Sequence, residues 1–138
     1  MTRKFRMLLS FIDIDMAELI EMDKRVGIFE QMEENVGPVI LINKFSVDPD
    51  EFDQFIKGWA AEAEKFKEQP GFISTQLHKG IGKSGTFVNY AVWESAAQFK
   101  EAVRKVMDPQ DRLSAYPPST IASPHLFKKV AVHGICVD

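Results

Sequence analysis

Asn89 and Trp93 stand four residues apart in "VNYAVWES", and on a strand that spacing projects both side chains from one face. Asn43, in "LINKFS", shares the parity of Leu41 and Phe45. A carboxamide among apolar neighbours needs partners, because leaving it buried and unpaired costs about 1–3 kcal/mol. Two readings follow from these residue types. Each asparagine ties down a strand end or a loop, or the two together orient a polar ligand in a pocket between sheet and helices, with Trp93 stacking on it. A site, not a fold, has to decide between them.

Other candidates for chemistry are fewer. His78 falls on an expected strand and could reach an edge of such a pocket; a surface or interface histidine is the plainer alternative. His133 is comparable on the expected last strand, and His125 follows Pro124 in an expected loop. No His-x-x-x-His and no carboxylate–histidine pair stands at ligand spacing, so no metal is expected. The single Cys136 leaves no intrachain disulfide and no C-x-x-C pair. Glu62, Glu64, Lys65, Lys67 and Glu68 look like the solvated face of a helix, with local ion pairs worth roughly 0.2–0.5 kcal/mol each.

The glycines of "KGIGKSGTF" imitate a nucleotide site. Gly80, Gly82 and Gly85 spell G-x-G-x-x-G, and Gly82-Lys83-Ser84 resembles the end of a phosphate-binding loop. A dinucleotide fingerprint needs a helix after the glycines, because the helix N-terminus holds the pyrophosphate. Here "TFVNYAVWE" follows and alternates as a strand. The phosphate-loop spacing fails as well, since its earlier glycine would fall at Leu77. The segment is a hairpin turn, where glycine supplies positive φ at low cost.

Positioning these residues requires elements, and two helices are legible. Phe52, Phe55, Ile56, Trp59, Ala63 and Phe66 form one apolar face. Asp48, Pro49 and Glu51 supply a cap, a first-turn proline and a capping box, and Gln69-Pro70-Gly71 stops the helix. A second helix starts at Ser95, with Gln98 at capping-box spacing and a stripe of Phe99, Ala102, Val103 and Val106; Asp108-Pro109 ends it. "SAYPPSTIASP" is expected to be an irregular loop, because its prolines withhold backbone donors. Strands are expected at residues 39–45, 72–79, 86–94 and 127–135. The order β-α-β-β-α-β is the ferredoxin-like α+β arrangement, a four-stranded antiparallel sheet with both helices on one face.

Both faces of that sheet are apolar. Phe87, Ala91 and Trp93 point one way and Val88, Tyr90 and Val92 the other; Val39, Leu41 and Phe45 oppose Ile40 and Ile42. Helices cover only one face, and an antiparallel sheet with a solvated back should alternate apolar with polar. A second sheet from an identical chain would bury the remainder, giving a homodimer packed face to face. Residues 37–138 make up this domain. Residues 1–36 are an extension, expected to be partly helical: Asp15 and Glu18 stand at capping-box spacing, and Met16, Leu19, Ile20 and Val26 form a stripe.

The 138 residues suit one domain plus an extension. A net charge of -3 with no basic patch argues against a nucleic-acid partner. No stretch approaches the ~20 apolar residues that span a bilayer. The apolar run after Arg6 meets Asp13 and Asp15 with no small-residue cleavage site, so a cytoplasmic location is expected.

"ILINKFSVDPDEFDQFIKGWAAEAEKFKEQPGFISTQLHKG" followed by "TFVNYAVWESAAQFKEAV" resembles the antibiotic biosynthesis monooxygenase family of dimeric α+β barrels. The Pro-Gly-Phe after the first helix and the N-x-x-x-W-E-S around the third strand are the most specific parts. The resemblance implies a cofactor-independent oxygenase that uses O2 as co-substrate on a hydroquinone or polyphenolic aromatic. Asn89, Trp93 and Asn43 would be its catalytic residues, and Trp59, Phe99 and His78 would contact substrate. Related enzymes of the resemblance bind and degrade haem, but Val103 stands where that branch carries a histidine, which disfavours haem. Phe99 stands where the polyketide oxygenases carry a tyrosine. The alternatives are a protein that binds haem or an aromatic metabolite without turnover, and an assembly module on the same scaffold.

Overall fold

A computed structural model describes residues 2–9, 12–107 and 116–136, with side chains from Ala17 onward. The ferredoxin-like unit is present. Strand β3 (Val39–Ser46) leads through a 3-10 turn at Pro49–Glu51 into helix α2 (Phe52–Phe66). The hairpin β4 (Phe72–Lys79) and β5 (Thr86–Trp93) follows, then α3 (Ala96–Val106) and β6 (Ile121–Phe127). Ahead of them lie β1 (Thr2–Leu9), β2 (Ile12–Ile20) and a single helical turn α1 (Ile28–Gln31). Asp108 and Pro109, the expected helix stop, lie outside the described residues.

The sheet has six strands in the order β1-β2-β6-β3-β5-β4, not four. Strands β6, β3, β5 and β4 keep the expected antiparallel pairing. The additional pair is a hairpin that joins the β6 edge through β2, in parallel, at Glu18–Ile121 and Leu19–Ala122. The helix expected around Asp15 to Val26 is instead strand as far as Ile20 and turn beyond it. Ala17 and Leu19 are buried on alternate positions, as a half-buried strand requires.

The last strand also lies earlier than expected, at Ile121–Phe127 and not at 127–135. Pro124 sits inside it. The backbone N–H of Leu126, at the same parity, points away from β3 and donates to Gln31 Oε1. The missing donor of Pro124 thus faces the sheet's far edge, beyond the short β2 contact, and no β3 bond is lost. Residues 128–136 are exposed and close in a turn bridged by Val132 and Cys136.

Local signals decide the helix starts. Ser95 caps α3, its hydroxyl accepting from the Gln98 N–H at 3.1 Å. The capping box expected for α2 does not form: Asp48 makes no side-chain cap, and Glu51 accepts a hydrogen bond from Ser119 instead. At the β4–β5 turn Gly82 adopts φ +69°, where a side chain would be strained, and the Gly80 N–H closes on the Thr86 carbonyl.

Two apolar clusters fill the space between sheet and helices. One gathers Met32, Leu41, Trp93, Phe99 and Val103; the other gathers Phe45, Phe55, Phe87 and Tyr116. No helix among the described residues is long and apolar enough to cross a membrane.

Candidate functional site

A cavity of about 110 Å³ lies between the two clusters, floored by β3 and β5 and roofed by α2 and α3. Its floor is set by strand parity. Asn43 and Asn89 are register partners on adjacent strands and both face inward, two residues from Leu41 and Ala91. Trp93 ends the same face. Its ring is buried, held edge-on by Phe66, Phe72 and Phe99 at centroid distances of 6.1, 5.4 and 5.5 Å.

A bulge in β4 completes the floor. The register shifts between Phe72 and Ser74, so Phe72 and Thr75, three residues apart, both face the cavity. Thr75 Oγ1 donates to Asn89 Oδ1 at 2.5 Å. Asn43 Oδ1 is buried at the same wall with no hydrogen-bond partner among the described residues.

The roof contributes the charge. Glu62 and Trp59 project from α2, and Tyr116 enters from the segment ahead of β6. The Tyr116 hydroxyl donates to Glu62 Oε1 at 3.1 Å, and its buried ring stacks on Phe55 at 5.4 Å. Burial pushes the Glu62 carboxyl up to about 7, against the Tyr116 hydrogen bond and the Lys65 charge, which both pull it down. Burial, and then the neighbouring Glu62 charge, push the Tyr116 phenol well above its ordinary range, so it stays a donor.

Five of the six expected site residues line this cavity: Asn43, Asn89, Trp93, Trp59 and Phe99. His78 does not. It lies exposed on the opposite parity of β4, its ring beside the Val88 carbonyl on the sheet's outer face. His125 is on β6, not in a loop; it is buried, with Nε2 at 3.2 Å from the Gln31 amide. His133 is exposed in the terminal turn.

Glu62, Tyr116 and Thr75 were not singled out by sequence reasoning. Glu62 is half-buried and not part of the solvated face, although Glu64 and Lys67 are exposed and paired there. A signal was present: Phe55, Trp59, Glu62 and Phe66 recur at i, i+4, i+7 and i+11, which puts a carboxylate in the middle of the apolar stripe. Tyr116 carried no comparable mark. It supplies to this cavity the hydroxyl that Phe99 lacks. No group of three or more His, Cys, Asp or Glu among the described residues could hold a metal ion.

Comparison with known proteins agrees with this geometry. Residues 38–105, from β3 through α3, match the antibiotic biosynthesis monooxygenase family model. A candidate monooxygenase from Shewanella loihica PV-4 is similar at 32% identity and a TM-score of 0.58, covering 70% of this chain and 97% of that one. SnoaB, a cofactor-independent oxygenase from Streptomyces nogalater, is similar at 25% identity and a TM-score of 0.60, covering 72% and 99%. MhuD, solved with two manganese protoporphyrin IX molecules per active site, shares the fold at 23% identity and a TM-score of 0.56, covering 70% and 99%. Comparison with curated proteins gave no match. With the fold, the cavity and these likenesses in agreement, the chain belongs to the antibiotic biosynthesis monooxygenase family.

Proposed function

We propose that this protein is a cofactor-independent oxygenase acting on a single-ring dihydroxyaromatic, such as a hydroquinone, with O2. The observation that carries the reading is the buried, unpartnered Asn43 carbonyl oxygen opposite an anchored Asn89. A ring hydroxyl donating to Asn43 would satisfy that acceptor and offset its burial. Thr75 occupies the Asn89 oxygen, which leaves the Asn89 NH2 to donate to an oxyanion developing on the ring.

Cavity size limits the ligand to one ring at most. An apolar cavity of about 150 Å³ takes benzene, and this one is about 110 Å³. The chemistry the site would support starts with loss of a hydroxyl proton, which makes the ring electron-rich enough to reduce O2. One oxygen atom enters the ring and the other leaves as water. The electrons come from the substrate, which ends as a hydroxylated quinone. Protein groups bind, orient and exclude water; Trp93 and Phe99 wall the ring.

Haem does not fit these residues. No histidine or cysteine is among the described residues of the wall, Val103 stands there instead, and Tyr116 is engaged with Glu62. Pockets for drug-sized ligands run to about 300–1,000 Å³, and a porphyrin needs more than the space present. We also infer a homodimer through the sheet's outer face. Tyr90 and Ile73 are exposed there, with Ile40, Ile42, Val88 and Val92 only half-covered.

Oxygen uptake tests the function. The protein should accelerate O2 consumption by single-ring hydroquinones above the uncatalysed rate, and Asn89→Ala should lose most of that acceleration. Equal rates with wild type, Asn89→Ala and no protein across such a panel would sink the reading.

A further inference from the structure

Among the described residues the cavity wall carries one charged side chain. Among the described residues of its wall Glu62 is the sole carboxylate and Tyr116 the sole other group with a titratable proton; the rest are apolar, amide or hydroxyl side chains. Trp59 and Phe66 flank Glu62 on the inner face of α2. From the other side the Tyr116 hydroxyl holds Oε1 at 3.1 Å, and that ring is itself fixed by Phe55 and Phe45 at 5.4 and 5.7 Å. The carboxylate is thereby oriented, with lone pairs to spare for a second donor.

We propose that Glu62 is the general base of this site, its carboxylate taking the proton from a hydroxyl of an aromatic ring bound in the cavity, with Tyr116 as the positioning residue. The inference rests on the ring-binding reading above. In this step the substrate O–H bond breaks and a carboxyl O–H bond forms. Negative charge passes from Glu62 to the ring oxygen, so charge and protons balance. Asn43 and Asn89 border the same space and do not titrate, so no other described group of the wall can accept the proton at neutral pH.

Burial makes this carboxylate a better base than an exposed one. At about 7 instead of 4.5, it makes proton transfer from a given phenol about 300-fold more favourable. The groups that act on it are Tyr116, from the segment ahead of β6, and Lys65, one turn along its own helix. Both favour its charged form, which keeps a working fraction ionised near neutrality.

The test uses the full chain, with 4-nitrophenol as a visible binding probe and a single-ring hydroquinone for O2 uptake, between about pH 5 and 9. Wild type should bind the probe, and its kcat should rise through a midpoint near the Glu62 value. Glu62→Gln keeps an acceptor for Tyr116; it should bind the probe within about 3-fold of wild type, lose roughly 100-fold in kcat and lose the pH midpoint. Tyr116→Phe removes a hydrogen bond that favours the carboxylate, so its midpoint should move to higher pH. Probe binding with wild-type kcat and pH profile in Glu62→Gln would overturn the proposal and leave ring binding standing. An unmoved midpoint in Tyr116→Phe would overturn it as well. Absence of both probe binding and O2 uptake in wild type would remove the ring-binding reading and the base together.

Discussion

Asn43 and Asn89 face one another across β3 and β5, yet only one of them is anchored: Thr75 donates to Asn89 Oδ1, and no described residue donates to Asn43 Oδ1. An unsatisfied buried acceptor opposes folding, so its position at a cavity wall ties a stability deficit to a binding capacity.

Asn43→Leu separates the two. The substitution is close in size and removes the unpartnered oxygen, so unfolding in urea should show stability unchanged or raised by about 1 kcal/mol. Affinity for a phenolic ring should fall at least 10-fold, measured by 4-nitrophenol titration, about what loss of one buried hydrogen bond gives. A large loss of stability would show that Asn43 serves the sheet, the plainer of its two sequence readings.

Glu62 predicts a pH dependence of stability with a definite sign. Its folded value, about 7, lies above the ordinary 4.5 because burial disfavours the charge. The fold therefore gains most from this group below about 4.5, and that advantage is lost as pH rises to about 7. The full effect is at most about 3 kcal/mol, and partial exposure of Glu62 reduces it. Glu62→Gln should melt with the wild type at pH 4.5 and above it at pH 8. Identical differences at both values would mean that the carboxyl is solvated.

How far these features were legible follows from what each residue's neighbours reveal. Strands β3, β4 and β5, both helices and the glycine turn obey local periodicity, and parity alone brought Asn43, Asn89 and Trp93 to one face. His78 failed on the same ground: on β4 it has the parity of Gln76, outside the cavity, and the bulge near Phe72 that sets which residues face inward leaves no sequence signature. "IDIDM" alternates at period two from Ile12 to Met16, but Asp15 and Glu18 at capping-box spacing competed with that signal and suggested a helix. Pro124 argued against a strand because the direction of its absent N–H is a property of sheet position. Tyr116 reaches Glu62 across 54 residues, and no local pattern encodes that contact.

Gln31 stands in for a missing strand. Its side-chain amide donates to the Leu126 carbonyl at 3.0 Å and accepts from the Leu126 N–H at 2.9 Å, which is how a neighbouring strand would pair. It does so where β2 no longer reaches β6. Gln31→Ala should cost about 1–3 kcal/mol, because both backbone groups lose their partner at a partly buried edge. Amide exchange at Leu126 should accelerate more than exchange at Leu41, which pairs with it from the other side and keeps its β5 bonds. Equal acceleration at both would indicate general loosening and not an exposed edge.

The outer sheet face makes the last prediction. Tyr90 is 39% exposed at its centre, with Ile42 as its β3 register partner and Val88 and Val92 on either side in the same parity. A contiguous apolar face of this kind is costly in water, and a second copy would bury it at about 25 cal/mol per Å². Stable interfaces bury about 1,200–2,000 Å² in total, which one sheet face against its twin can supply. Sedimentation at micromolar concentration should therefore give a dimer, and Tyr90→Lys should shift it towards monomer by placing a charge at the centre of the contact. The cavity lies on the other side of the sheet, so the monomeric variant should retain 4-nitrophenol binding. A wild type that sediments as a monomer would leave that face without the partner argued for it, while a dimer untouched by Tyr90→Lys would place the contact elsewhere on the molecule.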